Sequence, residues 1–179
     1  YQDLVSLFHA LQNDKFTLVY QPKIDIQTNE LTGVEALIRW NDSNHNNMSI
    51  SELIKRAEDA EFINQITKWV IRNVADQLKI WKEEGLDISV SINLSSRDLS
   101  DETFIDYVDE YITKNEINPD CIEFELTERS IILNEDLTSE ELKKLKSIGI
   151  KLSLDDYGTG YNSLKYLLGF VGVFDYLKI

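Results

Sequence analysis

The stretch "KLSLDDYGTGY", Lys151–Tyr161, shows a short strand pattern that ends in two adjacent acids and a loop with two glycines. Leu152 and Leu154 alternate with polar residues, and successive side chains of a strand point to opposite faces of a sheet. This strand therefore has one apolar face and one polar face. Asp155 ends the polar face and Asp156 follows it, so two like charges lie side by side. Either the pair begins an Asx turn into the loop, or it has a function that needs both carboxylates.

The same alternation recurs along the chain and predicts an α/β fold. Phe16–Ile26 and Leu31–Trp40 have strand patterns, and "QTNE" between them is short enough to predict an antiparallel hairpin. Helical spacing covers Ser51–Glu84 with a break near Glu61, and strands then alternate with helices. The later strands are "DISVSINLS", "CIEFELTE", "IKLSLDD" and "FDYLKI", with helices capped by Ser100 and Thr138 and a short helix at Asn162–Leu168 between them. This order predicts a mainly parallel sheet after the hairpin.

The polar face of each strand carries a charged or amide group near its carboxyl end. A parallel strand that is buried on both faces is usually apolar throughout, so these polar ends need another explanation. A closed barrel provides one, because its active site gathers residues from the carboxyl ends of several strands. The pattern therefore predicts a TIM-like barrel. The residues expected to converge at its mouth are Glu35, Asn93, Glu125, Asp155 and Lys178, with Glu123 and Lys151 one layer deeper and able to pair.

Three carboxylates and an amide are oxygen donors, which suit a hard divalent cation such as Mg²⁺ or Mn²⁺. The two histidines, His9 and His45, lie away from this set, which disfavours a zinc site. Two cations would explain the adjacent Asp155–Asp156 pair, since one carboxylate can bridge both ions and its neighbour can reach the second. Taken singly, each residue also has an ordinary structural interpretation: a Glu35–Arg39 salt bridge, a turn residue at Asn93, strand-end charges at Glu125 and Glu128, and a snorkelling Lys178.

Composition limits the possible partners. The 179 residues include 32 acids and 18 bases, a net charge of −14, which argues against a broad electrostatic contact with DNA or an anionic membrane. No apolar run reaches the roughly 20 residues that span a bilayer, and no signal peptide is visible. The single cysteine, Cys121, excludes an internal disulfide and fits a reducing compartment.

Six motifs resemble those of a known family. "YQPKID", "GVEALIRW", "INLS", "ELTE", "DDYGTGYNSL" and "DYLKI" occur in the order found in EAL domains, the bacterial phosphodiesterases that linearise cyclic di-GMP, and the resemblance covers nearly the whole chain. It implies an α/β fold, a modified TIM-like (β/α) barrel with an antiparallel first strand. It further implies a two-metal hydrolysis, with Mg²⁺ or Mn²⁺, of cyclic di-GMP to linear pGpG in second-messenger signalling.

The resemblance also implies residue roles. The expected metal ligands are Glu35, Asn93, Glu125 and Asp155 for one ion and Asp155 and Asp156 for the other. Lys178 is expected to assist the water and, with Glu35, Asp155 and Asp156, to form the catalytic set. Gln21, Leu37 and Arg39 are expected to contact the cyclic dinucleotide, and Glu128 to anchor the "DDYGTGYNSL" loop. In this family the loop also helps to form a dimer contact, so a homodimer is expected. Sensory or GGDEF domains are expected before Tyr1, and the domain is expected in the cytoplasm.

The chain departs from the family pattern at its end. Family members continue past "LKI" with two more strands, which carry another Glu and a late Gln, whereas this sequence stops at Ile179. Residues 1–179 are therefore expected to form an EAL phosphodiesterase domain that lacks the last part of the barrel, with about six of eight strands. The alternative is a catalytically inactive EAL domain that binds cyclic di-GMP or a protein partner as a sensor. An enolase-like barrel is a weaker option that "DDYGTGYNSL" disfavours.

Overall fold

A computed structural model of the chain describes residues 2–13, 15–40, 49–132, 135–158, 170 and 172–179. Helices and strands alternate along it. In chain order they are α1 (Gln2–Gln12), β1 (Phe16–Ile24), β2 (Leu31–Trp40), α2 (Ile50–Asp59), α3 (Ile63–Glu83), β3 (Ser89–Asn93), α4 (Ser96–Leu99), α5 (Phe104–Lys114), β4 (Ile122–Thr127), α6 (Glu128–Ile132), α7 (Glu135–Ile148), β5 (Lys151–Asp155) and β6 (Tyr176–Leu177). A 3-10 turn, Pro119–Cys121, leads into β4. No helix in these ranges is long and apolar enough to cross a membrane.

The strands form one six-stranded sheet in the order β1-β2-β3-β4-β5-β6. β1 and β2 are antiparallel, with Gln21 opposite Glu35, and every later neighbour pair is parallel. Both the α/β class and the antiparallel first hairpin are thus confirmed, as is the expected number of strands. Because neighbours in sequence are neighbours in the sheet, the carboxyl ends of the parallel strands lie along one edge.

Local chemistry explains the hairpin and its close fit to β3. The Asp25 carboxylate accepts hydrogen bonds from the amides of Gln27 and Thr28, at 2.8 and 2.9 Å, which is an Asx-type turn. A Cβ on Gly33 would lie 2.6 Å from Ser89 Oγ and 2.8 Å from Ser89 O. Glycine at position 33 therefore allows β2 to approach β3 closely.

The apolar faces of the strands pack under the helices. Val90, Phe124 and Leu152 are completely buried, and the Phe124 ring lies 6.4 Å from that of Phe104 on α5. Burying one such side chain stabilises the fold by about 1.5–3 kcal/mol. The α5 face that the sequence predicts, Phe104, Ile105, Val108 and Ile112, is buried in full. The sheet is therefore held against the helices on one side, which leaves its polar face for the site.

Several helix limits differ from the sequence patterns. The break near Glu61 is confirmed, because α2 and α3 are separate and Glu61 has a φ of 54°. The prediction that Ser100 caps a helix is wrong: the short helix α4 occupies 96–99 instead, and α5 begins at Phe104. α7 starts at Glu135, before the predicted cap at Thr138, and α1 was not predicted at all. The predicted helix at Asn162–Leu168 and His45 lie outside the described residues.

Candidate active site at the carboxyl ends of the strands

Lys178 lies at the centre of a group of carboxylates. Its Nζ is 2.5 Å from Glu125 Oε2, 3.9 Å from Glu35 Oε2 and 4.0 Å from Asp155 Oδ2. These three acids come from β4, β2 and β5, which are not all neighbours in the sheet. The sheet therefore curves enough to bring strand ends together, as a barrel requires.

Backbone contacts hold Lys178 in this position. Its amide donates to Leu154 O at 2.8 Å, and its carbonyl accepts from the Tyr157 amide at 3.1 Å. Just upstream, Asp175 accepts from the Leu152 amide at 2.8 Å and from Lys146 Nζ at 2.7 Å. The segment around β6 is thus fixed to β5 at several points, even though only two of its residues are in the strand.

Asn93 joins the group through Glu35. Its Nδ2 donates to Glu35 Oε1 at 2.9 Å, while the neighbouring Leu94 amide donates to Glu125 O at 2.8 Å. The structure therefore brings Glu35, Asn93, Glu125, Asp155 and Lys178 together, in line with their expected convergence. Glu35 contacts Asn93 and Lys178, and Arg39 donates to Ile38 O at 3.0 Å, so the alternative of a Glu35–Arg39 salt bridge is not seen among the described contacts.

Sequence reasoning missed Lys23, which reaches the same group from β1. Its Nζ donates to Glu125 Oε1 at 2.7 Å, to Glu123 Oε1 at 3.3 Å and to Ser91 Oγ. Glu123 thus pairs with Lys23, and the pairing suggested for Glu123 and Lys151 is absent from the described contacts. The available signal was strand parity, since Lys23 is in phase with Gln21 in the motif "YQPKID".

Glu125 is the most enclosed acid of the group, with 1% of its surface exposed. Burial alone would raise the pKa of its carboxyl, but hydrogen bonds from Lys178 and Lys23 outweigh burial and hold that pKa below its ordinary value. Burial would likewise lower the pKa of Lys178, yet the hydrogen bond and the charge of Glu125 raise it. The buried carboxylate and the ammonium beside it are therefore both charged at neutral pH.

The donors of this group fit a hard divalent cation in kind, because carboxylate and amide oxygens are the ligands that Mg²⁺ and Mn²⁺ take. The arrangement is nevertheless that of an ion-pair cluster. Among the described residues, no three acidic, histidine or cysteine side chains are grouped closely enough to hold one metal ion. The positive charge between the carboxylates is supplied by Lys178 and Lys23.

The adjacent aspartates lie at the rim of the group. Asp155 is partly buried, and its Oδ1 accepts from the amide of Asp156 at 2.9 Å. Asp156 is exposed and has a φ of 56°, a left-handed conformation that aspartate tolerates better than most residues. The chain thus turns at Asp156. The Asx turn is not seen among the described contacts, because the Tyr157 amide donates to Lys178 O and the Gly158 amide to Glu128 Oε2.

The remaining predicted residues lie around a cavity of about 1170 Å³ beside this rim. Leu37, Arg39, Glu128 and Asp156 line it together with Asn93 and Glu125. Gln21 is exposed on β1 and faces Glu35 in register. Buried Glu128 accepts from the Gly158 amide at 3.2 Å, so it contacts the start of the glycine loop. The rest of that loop, 159–169, lies outside the described residues.

Another buried acid, Asp98, contacts the cavity-lining residues Thr67 and Ser95 and was also missed. Its Oδ2 accepts from Thr67 Oγ1 and from the Ser95 amide, both at 3.0 Å. Ser95 Oγ in turn donates to Glu58 Oε1 at 2.7 Å. Burial raises the pKa of Asp98 to about 7, although the two hydrogen bonds oppose that rise. Its signal in the sequence was the capping-box spacing from Ser95 to Asp98, which starts α4.

Comparison with known proteins shows which family the chain resembles. A family model described as the EAL domain matches residues 4–179. The signaling protein YkoW of Bacillus subtilis is 36% identical over 169 residues, which are 94% of this chain and 21% of YkoW. The cyclic di-GMP phosphodiesterase PA2567 of Pseudomonas aeruginosa is 33% identical over 165 residues, which are 92% of this chain and 28% of that protein. The chain thus spans between a fifth and a third of the length of these relatives.

A solved structure agrees at the level of the fold. A PaMucR phosphodiesterase in complex with c-di-GMP superposes with a TM-score of 0.85 at 31% identity, over 94% of this chain and 69% of that one. A score of this size means that strand order and helix placement correspond over most of the chain.

Proposed function

The chain belongs to the EAL domain family, and on this premise we propose that it is a cyclic di-GMP phosphodiesterase domain, which hydrolyses one phosphodiester of the cyclic dinucleotide to give linear pGpG. One observation carries the proposal: Glu35, Glu125 and Asp155, acids from three separate strands, converge within 4.0 Å of the Lys178 ammonium at the carboxyl ends of the sheet. In barrel enzymes, catalytic residues come from these strand ends.

In this proposal the site holds two divalent cations, Mg²⁺ or Mn²⁺. Their ligands are Glu35, Asn93, Glu125, Asp155 and Asp156, with Asp155 shared. Such ions activate a water and stabilise the leaving oxygen of a phosphoryl transfer. The oxygen donors fit this use in kind, and Asp156 lies exposed directly beyond the rim residue Asp155.

The other residues have positioning roles. Lys178 orients the attacking water and neutralises charge that develops on the phosphate, which its raised pKa and central position support. Gln21, Leu37 and Arg39 contact the nucleotide, with the Arg39 guanidinium suited to a phosphate. Glu128 anchors the glycine loop through Gly158. We also propose a cytoplasmic site of action, which agrees with the one free cysteine, Cys121. The homodimer and the adjoining sensory or GGDEF domains stay predictions.

The proposal is tested by incubating the natural full-length protein with cyclic di-GMP and Mn²⁺ and measuring pGpG by chromatography. Asp155→Asn should lower kcat/KM more than about 100-fold, because loss of a direct metal ligand exceeds the roughly 10–100-fold effect of outer-shell partners. Asp120→Asn is the matched control, since Asp120 is an exposed aspartate at the opposite end of the sheet. Full activity in Asp155→Asn would refute the two-metal assignment.

A second candidate is a non-catalytic EAL domain that binds cyclic di-GMP or a protein partner as a sensor. It is favoured by the two ammoniums that occupy both oxygens of Glu125 and by the absence of a three-residue metal group among the described residues. The same experiment separates the two. Binding of cyclic di-GMP without any pGpG, measured by calorimetry on the natural protein, would establish the sensor and overturn the enzyme.

A further inference from the structure

Lys23 crosses the interior of the curved sheet. It lies on β1, yet its ammonium contacts Ser91 on β3 and both Glu123 and Glu125 on β4. β1 and β4 are separated in the sheet by two strands. A side chain can make these contacts only because the polar faces of the strands turn toward one another. Lys23 therefore ties the hairpin to the strand that carries the most buried acid of the site.

We infer that Lys23 is a positioning residue for Glu125, an inference that rests on the proposed function. Each oxygen of the Glu125 carboxylate has its own ammonium: Oε1 accepts from Lys23 at 2.7 Å and Oε2 from Lys178 at 2.5 Å. A donor on each of the two oxygens restricts the rotation of the carboxylate plane. Lys23 thus directs Oε2 toward Lys178, which itself lies among the rim acids Glu35 and Asp155.

The other contacts of Lys23 explain why it stays on Oε1. Glu123 lies 3.3 Å from its Nζ and Ser91 accepts a further hydrogen bond, so the ammonium has three acceptors. Ser91 is 1% exposed and Glu123 6% exposed, so neither acceptor is readily replaced by water. The Lys178 ammonium, by contrast, has one close carboxylate among the described contacts, Glu125, and its other acid partners lie at 3.9 and 4.0 Å. Of the two ammoniums, Lys178 is the one that an incoming cation would displace, and Lys23 is the one that remains.

Charge compensation is the competing explanation for Lys23. Glu123 and Glu125 are two buried carboxylates on one face of β4, and a single cation between them would stabilise the fold wherever the Glu125 oxygens point. The two explanations differ in one consequence. If Lys23 only balances charge, removal of Glu123 together with Lys23 restores the site. If Lys23 positions Glu125, that double change restores stability but leaves Glu125 without its fixed partner.

The experiment compares Mn²⁺ affinity, measured by isothermal titration calorimetry, in the natural full-length protein and three variants. Lys23→Met removes the ammonium and keeps the length of the side chain. Lys23→Met with Glu123→Gln removes one charge of each sign and so preserves folding. Lys151→Met is the matched control, because Lys151 is a second half-buried lysine, in register with Glu123, that makes no described hydrogen bond to either glutamate.

Positioning predicts that Mn²⁺ Kd rises roughly 10–100-fold in Lys23→Met and in the double variant, the range typical of partners that orient a metal ligand. Lys151→Met should stay within about twofold of wild type, on the same outer-shell scale. A wild-type Kd in Lys23→Met, or its recovery in the double variant, would overturn the inference.

The same titrations separate this inference from the proposed function. Wild-type protein that binds Mn²⁺ but forms no pGpG refutes the phosphodiesterase, while the ratio of Kd values still decides the role of Lys23. Wild-type protein that binds no Mn²⁺ refutes both. A protein that binds Mn²⁺, forms pGpG and loses affinity in both Lys23 variants supports both.

Discussion

Glu125 and Asp98 are two buried carboxylates of the same molecule with opposite pKa shifts. Glu125 is 1% exposed and its pKa is lowered, whereas Asp98 is completely buried and its pKa is raised to about 7. Burial disfavours the charged form in both cases. The difference lies in the partners: Glu125 has an ammonium on each oxygen, whereas Asp98 has a hydroxyl and an amide on one oxygen. Burial alone therefore does not decide whether an acid is charged.

The surroundings of Asp98 favour the neutral form further. Glu58 on α2 raises the pKa of Asp98 by its negative charge, and Lys68 on α3 opposes it only weakly. Lys68 is instead 3.7 Å from Asp101 and lies over the ring of Tyr107. The second oxygen of Asp98, Oδ1, has no hydrogen-bond partner in the described part of the chain. The surroundings of Asp98 therefore favour a neutral carboxyl group, whereas those of Glu125 favour a charged carboxylate.

Glu125→Gln should have the largest effect of the substitutions that distinguish the two acids. The neutral amide cannot pair with two ammoniums, so turnover of cyclic di-GMP should fall more than about 100-fold, beyond the range of outer-shell changes. Unfolding free energy should fall by about 2–3 kcal/mol, since charge-assisted hydrogen bonds are lost while the lysines partly regain water. Asp98→Asn is the matched control and should keep its turnover. An equal loss of turnover in Glu125→Gln and Asp98→Asn would contradict the distinction between a charged site acid and a neutral buried acid.

The pH dependence of stability should separate the two acids next. The pKa of Asp98 is about 7 in the folded chain and near 3.8 when exposed, so the folded state binds the extra proton between these values. This contribution to stability is complete below about pH 4 and is lost as pH rises through about 7. It amounts to about 4 kcal/mol, at 1.36 kcal/mol for each unit of pKa difference. Urea unfolding of wild type and Asp98→Asn at several pH values gives the free energy of unfolding as a function of pH. The difference between the slopes of the two curves measures the contribution of Asp98.

Parallel slopes for wild type and Asp98→Asn would show that Asp98 does not titrate in this range. Asp120→Asn serves as the control for the same measurement, because Asp120 is exposed and should leave the slope unchanged.

Thr67→Val should have the smallest effect, and it tests how a neutral hydrogen-bond donor supports the Asp98 carboxylate. Valine keeps the shape of threonine but removes the hydroxyl that donates to Asp98 at 3.0 Å. The loss should cost about 1 kcal/mol of unfolding free energy at pH near 5 and more at pH near 8, where Asp98 is charged. Differential scanning calorimetry at the two pH values gives the comparison. A cost that does not grow with pH would mean that the hydroxyl does not support the charged carboxylate.

The sequence predicted the parts of the fold that depend on periodicity. Alternation identified which face of each strand is apolar, and short connections identified the β1–β2 hairpin. The polar strand ends, Glu35, Asn93, Glu125 and Asp155, were recognised for the same reason, since parity is a local property. The break between α2 and α3 near Glu61 was predicted as well.

Helix limits were predicted less well, because caps compete over a few residues. Both Ser95 and Ser100 precede possible helices, and the choice of Ser95 depends on Asp98 reaching back to its amide. That bond is supported by burial against Thr67 on α3, which no local pattern contains.

The set of residues at the strand ends, with their charges and the faces they share, can be read directly from the sequence. Which of these residues contact one another depends on the three-dimensional arrangement of the strands. Lys23 pairs with Glu123 and Glu125 rather than Lys151 doing so, because curvature brings β1 over β4. Likewise, the pKa of Asp98 is raised and that of Glu125 is lowered, because each carboxylate contacts different partners from distant parts of the chain. Local periodicity determines on which face of a strand a side chain lies. The distance between strands that are not neighbours depends on how the whole sheet curves.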